Sequence, residues 1–289
     1  MATGATEFID STTADVFIPE LWSAIAIVAR ENTLVFANLV DRRFESGLSF
    51  GDTIHVPSVG NLAARTKTKA SNAAITFETV TETNTDISVA TWEYAAIAVE
   101  SIVKVQGNRD QLKLYAGKMG YALGLAVDDV LAGLPDNFDN AVGTLGVNLD
   151  ADDIFRARQY LNDADAPLSD RAMVVSPAEE SGLLKQDKFV HSDYAMLHGA
   201  EAPSTGLERA YVTSFLRMPI YMSVNVEGTN AAGHDNAMFH REAVALVMQM
   251  RPTAHSMYDI DYLVDKVVVE QLYGTQEMRD NHGVFMRGA

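Results

Sequence analysis

The chain has no cysteine. Disulfides, thiolate nucleophiles and cysteine-ligated zinc or iron–sulfur sites are therefore excluded. Positive charge is scarce: 22 Lys and Arg face 39 Asp and Glu, for a net charge of −17. That balance argues against nucleic-acid binding through a basic surface. No run approaches 18 apolar residues, so no transmembrane helix is expected. The first residues, MATGATEFIDSTTADVF, lack a basic region followed by an apolar one and do not read as a signal peptide. Hydrophobic content, at 47%, is ample for a core in one large domain or two.

What is present begins with a long helical pattern from Asn108 to Gly133. Leu112, Tyr115, Met119, Ala122, Ala126 and Val130 recur at steps of three and four and predict one helix face. Asn108 and Gln111 fit a capping box, and Gly133 followed by Pro135 gives the stop. The rod would be roughly 37 Å long. Before it, Thr53 to Val59 alternates as a strand, and Thr79, Thr81, Thr83, Thr85, Ile87, Val89 and Thr91 place a β-branched residue at every second position. The two segments predict a ribbon with about 15 residues per arm, projecting on the order of 50 Å. Its tip carries Arg65, Lys67 and Lys69. A two-stranded ribbon is marginal alone in water and needs a surface to lie on.

Residues Met1 to Asp15 read as a polar arm, and Phe17 to Leu39 as an amphipathic segment around Leu21, Trp22 and Ile25 that packs on its own core or on a neighbour. After the rod, Asp136 to Asn148 marks a change of domain. Asp150 caps a helix carrying Ile154, Ala157 and Leu161, and Arg171 to Val175 reads as a buried strand. Ser176-Pro177-Ala178-Glu179 supplies an N-cap, a proline at the first helical position and a glutamate at the third. Strands are predicted on either side of Met218-Pro219, a turn over Glu227 to Asn236, an apolar element over Ala243 to Met250 and one extended run over Ser256 to Leu272. The acidic cluster from Asp128 to Asp170 reads as a solvated face, or as a wall that tolerates DNA without gripping it.

Chemistry-bearing patterns are weak. Gly117-Lys118 lies in the helix and lacks a glycine-rich approach, so it is no phosphate loop. His191, Asp193 and His198 are types that ligate zinc or iron, but no further ligand group with recognised spacing supports them. They read as a polar loop, and His240 as a structural histidine. No catalytic, cofactor-binding or metal residue is assigned. A metal-dependent enzyme built on that His/Asp loop remains the reading from a different class.

The order of parts resembles the major capsid protein of tailed bacteriophages, whose fold is shared with encapsulins and the herpesvirus capsid floor. The stretches that carry it are FIPELWSAIAIVARENTLVFANLVDRRFE with GDTIHVPSVG, GLAVDDVLAGL, DIFRARQYLNDADAPLSDRAMVVSPAEESGLLKQDKFV, PIYMSVNV, and MFHREAVALVMQMRP running into YDIDYLVDKVVVEQLYGTQEMRDNHGVFM. The resemblance implies an α+β fold with an N-terminal arm over residues 1–46 and an extended β-ribbon loop over 47–99. A peripheral domain with a long spine helix would take 100–140 and 251–289, and an axial domain 141–250. It implies a non-enzymatic shell protein that assembles through pentamers and hexamers into an icosahedral virion head around double-stranded DNA, without sequence-specific binding. Assembly would take place in the host cytoplasm, with a scaffolding protein and portal as partners and a decoration protein as an optional one. Phe17, Trp22, Arg65, Lys67, Lys69, Glu227 and Asn230 are the candidate inter-subunit contacts. Some members cross-link through a lysine in this loop, but no acid and asparagine partner for Lys67 or Lys69 is recognisable here. An encapsulin-like compartment and a minor head or decoration protein are the alternatives within the structural class.

Overall fold

A computed structural model of the chain describes residues 34–47, 50–69, 74–102, 111–186, 211–215 and 218–289, all in one unit spanning Asn32–Ala289. The architecture is α+β with three sheets. Strands β1 (Thr53–Val59) and β2 (Glu82–Ser88) form an antiparallel ribbon. Strand β3 (Thr91–Glu100) joins β10 (Val244–Asp259) and β11 (Val264–Glu277) in an antiparallel sheet of order β10-β11-β3. The third sheet has seven strands. Its path runs β4 (Asn140–Gly143), β12 (Gly283–Gly288), β9 (Gly233–His240), β5 (Arg171–Val175), β7 (Met218–Met222), β6 (Tyr211–Phe215), with β8 (Gly228–Thr229) paired to β9.

Four α-helices are described: α1 (Phe36–Leu39), α2 (Gln111–Gly133), α3 (Ala151–Asp163) and α4 (Pro177–Leu183). The α3 start is set locally: the Asp150 side chain accepts from Asp153 N while Asp153 accepts from Asp150 N. Its apolar stripe, Ile154, Ala157 and Leu161, covers one face of the seven-stranded sheet with Met173, Val175, Ile220, Met238, Val284 and Met286. Burying side chains such as Ile154 and Leu161 stabilises by about 1.5–3 kcal/mol each. The alternate residues of β5, Ala172 and Val174, enter a second core on the opposite face with Phe36, Phe239 and Tyr273. Burial on both faces is why β5 is apolar throughout. Val35, Phe36 and Val40 belong to that second core, so this end of the arm segment packs on its own subunit. Phe17 and Trp22 lie outside the described residues.

The rod is a 23-residue α-helix, with its proposed cap at Asn108 outside the described residues. Its buried face differs from the predicted one. Met119, Leu123, Val127 and Leu131 point inward, whereas Tyr115 and Val130 are exposed. The sequence is apolar on most of the helix circumference, so two faces fit the spacing. Val267 and Val269 of β11, with Ala95 and Ile97 of β3, select the one they contact. The helix ends at Gly133 as predicted. However, Gly133 keeps right-handed backbone angles, and the chain tightens into a 3-10 turn over Leu134–Asn137 around buried Pro135.

Other expectations are corrected. The ribbon pairs seven residues per strand, because the chain leaves it at Val89 and continues as β3, which pairs with β11 instead. The segment 91–99 therefore leaves the ribbon for the sheet that supports α2. The run Ser256 to Leu272 is two strands joined by a tip around Ile260–Leu263, where Leu263 takes a φ of 53°. Residues 140–143 form a strand parallel to β12, and Met218-Pro219 begins β7 instead of separating two strands. The C-terminal strand β12 sits in the seven-stranded sheet beside β9. The predicted split at residue 251 falls within β10. Residues 244–250 belong to β10, in the three-stranded sheet. Ser176 Oγ accepts from Glu179 N as expected. Glu179 does not reach back, but accepts from Leu149 N and Ala289 N, while Asn236 takes the Ser176 N–H.

Candidate functional site

Among the described residues, the ribbon's apolar packing lies at its root. Ile54, Val56 and Ile87 pack with Phe44, Val89, Ala245 and Val247. Past the last ladder pair, Val59 with Glu82, the Gly60 N–H donates to the Thr81 carbonyl, and then regular pairing stops. Two contacts to Glu78 hold the outer part: Ala63 N donates to it at 3.2 Å, and Arg65 lies 4.0 Å away. Arg65, Lys67 and Lys69 are all exposed along this loop, so the structure places the three cations on one solvent-facing segment. Apolar side chains share that exposure: Val59, Leu62, Ile75 and, at 84% accessible, Phe77. Only the charges among these residues were expected as contacts, although the apolar set is visible in the sequence.

Glu227 and Asn230 sit on a different element, the β8–β9 hairpin. Both are exposed, and the Glu227 carbonyl accepts from Asp235 N. Asn230 Oδ1 lies 2.9 Å from His234 Nε2 and braces the turn. The hairpin needs glycine at its base. Gly228 has φ +117°, and a Cβ there would stand 2.3 Å from the Gly233 carbonyl oxygen.

The acidic end of α2 divides. Asp128 is fully buried, accepting from Val35 N at 3.1 Å, Ala37 N at 3.4 Å and Asn225 Nδ2 at 2.9 Å. It therefore caps the start of α1 and ties it to the loop after β7. Burial pushes its carboxyl pKa up, and the hydrogen bonds oppose that push. Asp129 faces outward. Sequence spacing gave no signal for this difference, since adjacent helical residues lie about 100° apart on any helix.

Two further exposed surfaces were not foreseen. On β3, Glu93, Ala95, Ile97 and Val99 turn inward, which leaves Trp92 and Tyr94 on the outer face, 68% and 71% accessible. The alternation in TWEYAAIAVE carries this signal. At the β10–β11 tip, Met257, Ile260, Tyr262 and Leu263 are likewise exposed.

His191, Asp193 and His198 lie outside the described residues. His240 is buried, and its Nδ1 accepts from Glu242 N at 3.2 Å. Its ring packs edge-on against His282, with centroids 5.9 Å apart. Burial lowers the pKa of both imidazoles. No described helix is long and apolar enough to cross a membrane.

Among the described residues, the arrangement offers projecting surfaces more than an enclosed pocket. A family model described as phage capsid protein matches residues 45–278. No curated protein matches the chain. Among solved structures, a chain of Mycobacterium phage Che8 is 26% identical, superposes with a TM-score of 0.77, and covers 93% of this chain and 97% of its own. The capsid structure of Cyanophage P-SCSP1u gives a TM-score of 0.77 at 14% identity, over 96% of this chain and 94% of that one. The capsid of Ralstonia phage GP4 gives 0.71 at 11% identity, over 99% and 98%. The last two share the fold. With the family model spanning most of its length, the chain belongs to the phage capsid protein family and is a major capsid protein of the tailed-phage type.

Proposed function

We propose that the protein closes into an icosahedral shell of pentamers and hexamers around a double-stranded DNA genome, and that it acts through contacts with its own copies, without catalytic turnover. The observation that carries this reading is the ribbon end. Its apolar residues Val59, Leu62, Ile75 and Phe77 and its cations Arg65, Lys67 and Lys69 are exposed on a two-stranded element that needs a supporting surface. A second copy fits both features, because the body of the subunit is strongly acidic while the ribbon end is basic.

In this reading, the part of the predicted arm (residues 1–46) that precedes the self-packed Val35–Val40 segment lies across neighbours, with Phe17 and Trp22 as its apolar anchors. The ribbon overlaps the adjacent subunit. The α2 helix and the three-stranded sheet make the peripheral part, and the seven-stranded sheet the axial part. Glu227 and Asn230 then meet their equivalents near the capsomer centre. Scaffolding and portal proteins would act during assembly in the host cytoplasm, and the finished subunit would reside in the virion. Many weak contacts per subunit sum to a stable closed shell.

The test reverses the ribbon charges in one variant, Arg65→Glu, Lys67→Glu and Lys69→Glu. A folded subunit that forms no shells is the expected outcome. Normal shells at physiological salt would overturn the assignment of these three residues.

A further inference from the structure

We propose that His240, Glu242 and His282 form a binding site for a zinc-class divalent metal that staples together two passages of the chain between its sheets. The location gives the site its consequence. The chain leaves the seven-stranded sheet at His240, turns through Arg241–Ala243 and enters the three-stranded sheet at Val244. It returns from Glu277, turns through Asp280–His282 and rejoins the seven-stranded sheet at Gly283. The passages run side by side, with Met278 N and Arg279 N both donating to the Ala243 carbonyl. One histidine stands on each.

The ligand atoms of the three residues lie within 4.8 Å of one another. His240 and His282 are each 4% exposed, while Glu242 is half-buried. His282 carries an unused coordinating atom. One ring nitrogen bonds to the Ala164 carbonyl, and Nδ1 is buried with no hydrogen-bond partner. A metal-bound imidazole characteristically donates its other N–H to a backbone carbonyl, which fixes the ring and leaves a lone pair aimed at the ion. A buried imidazole nitrogen without a partner otherwise calls for an explanation.

His240 makes a smaller adjustment. Its Nδ1 accepts the Glu242 N–H, which puts the ring proton on Nε2. Binding through either nitrogen gives up that hydrogen bond. Ligation at Nε2 moves the proton to Nδ1.

Glu242 pairs with Arg43 at 3.1 Å, but Arg43 also holds Asp41 at 2.6 Å and keeps that partner when Glu242 turns to the metal. A cleft of about 220 Å³ lined by Asp41, Arg43, Asp170, His240, Arg241 and Glu242 opens beside the cluster. It supplies an entry path and room for a water as fourth ligand, completing a three-residue-plus-water set. Guanidinium groups nearby, Arg43 and Arg241 on the cleft wall among them, oppose a cation held by charge alone. The two imidazoles therefore select zinc or nickel over calcium or magnesium.

The experiment titrates untagged full-length protein with zinc chloride by calorimetry and follows its thermal midpoint. One zinc per chain and a raised midpoint are expected. Glu242→Gln and His282→Asn should each weaken binding by more than ~10-fold. A His191→Ala/His198→Ala variant should bind as the parent does. Glu242 lies on a half-exposed turn, so its variant tests the site even where His282→Asn does not fold. Absence of zinc binding, binding unchanged in Glu242→Gln, or binding lost in the His191/His198 variant would each overturn the proposal.

Discussion

Glu277 ends β11 opposite Val244, and its Oε1 is buried without a hydrogen-bond donor. Burial, then the negative charges of Asp280 and Asp139, raises its pKa from 4.5 to about 7. The folded state therefore holds a proton that the unfolded state releases. Stability falls as pH rises through that window, because the native form binds more protons. A shift of this size makes the ionised carboxylate unfavourable by up to ~3.4 kcal/mol above pH 7. Partial solvent access reduces this to roughly 1–2 kcal/mol. Glu277→Gln removes the charge and keeps the shape. At pH 8 the variant should gain that amount, about 2–4 °C of melting temperature per kcal/mol for a chain of this size. At pH 4, below both the unfolded and the folded pKa, the two proteins should melt together. Thermal unfolding of the unassembled subunit across pH 4 to 8 decides the matter. An equal gain at both ends, or a loss at pH 8, would show that the side chain is not a buried, repelled acid.

Asp128→Ala strips the acceptor from Val35 N, Ala37 N and Asn225 Nδ2. A loss of about 2–4 kcal/mol is expected in urea unfolding, with Asp128→Asn losing less than half as much because an amide oxygen still accepts. Gly274→Ala should destabilise by about 1–3 kcal/mol, since its Cβ would stand 2.2 Å from the Ser88 carbonyl oxygen, where backbone must move. Gly117→Ala on α2 meets open space and should instead stabilise by about 0.5–1 kcal/mol, so the two alanines should shift the urea midpoint in opposite directions.

What was legible in the sequence is what short-range chemistry decides. Asp150 and Asp153 cap α3 within four residues of each other, and Ser176 with Pro177 starts α4 within two. Those helices begin where expected. The β5 strand was readable because both of its faces are buried, and the root of β2 because Thr85, Ile87 and Val89 alternate. The inward face of α2 was not readable from its own residues, since it is chosen by Val267 and Val269, well over a hundred positions away. The same holds for the juxtaposition of His240 and His282, which depends on two chain passages meeting. Among the candidate contacts, Arg65, Lys67 and Lys69 were legible as one charged loop, but no local feature announced that Asp128 would point inward and Asp129 outward.

The turn that the sequence concealed makes a different point. Reversal at Ile260–Leu263 uses Ile260, Tyr262 and Leu263, with Leu263 rather than glycine in the left-handed region. Glycine or asparagine would adopt φ 53° with less strain and would not expose apolar surface. The ribbon shows the same departure, with Phe77 and Ile75 exposed where threonine and lysine already supply polar cover. Apolar residues at a solvent-facing turn are a poor solution for an isolated subunit and a reasonable one for a shell, where their burial partner belongs to another copy. A pattern rule that assigns apolar residues to the subunit's own core must therefore misplace the tip. It reads one continuous strand from Ser256 to Leu272 because the hydrophobic sequence continues through a bend that the subunit's own core does not cover. On this reasoning, the tip at Ile260–Leu263 and the ribbon end at Ile75 and Phe77 are apolar surface that the subunit leaves for its neighbours. Those positions, rather than the charged ones, should contribute most of the burial energy when the shell closes.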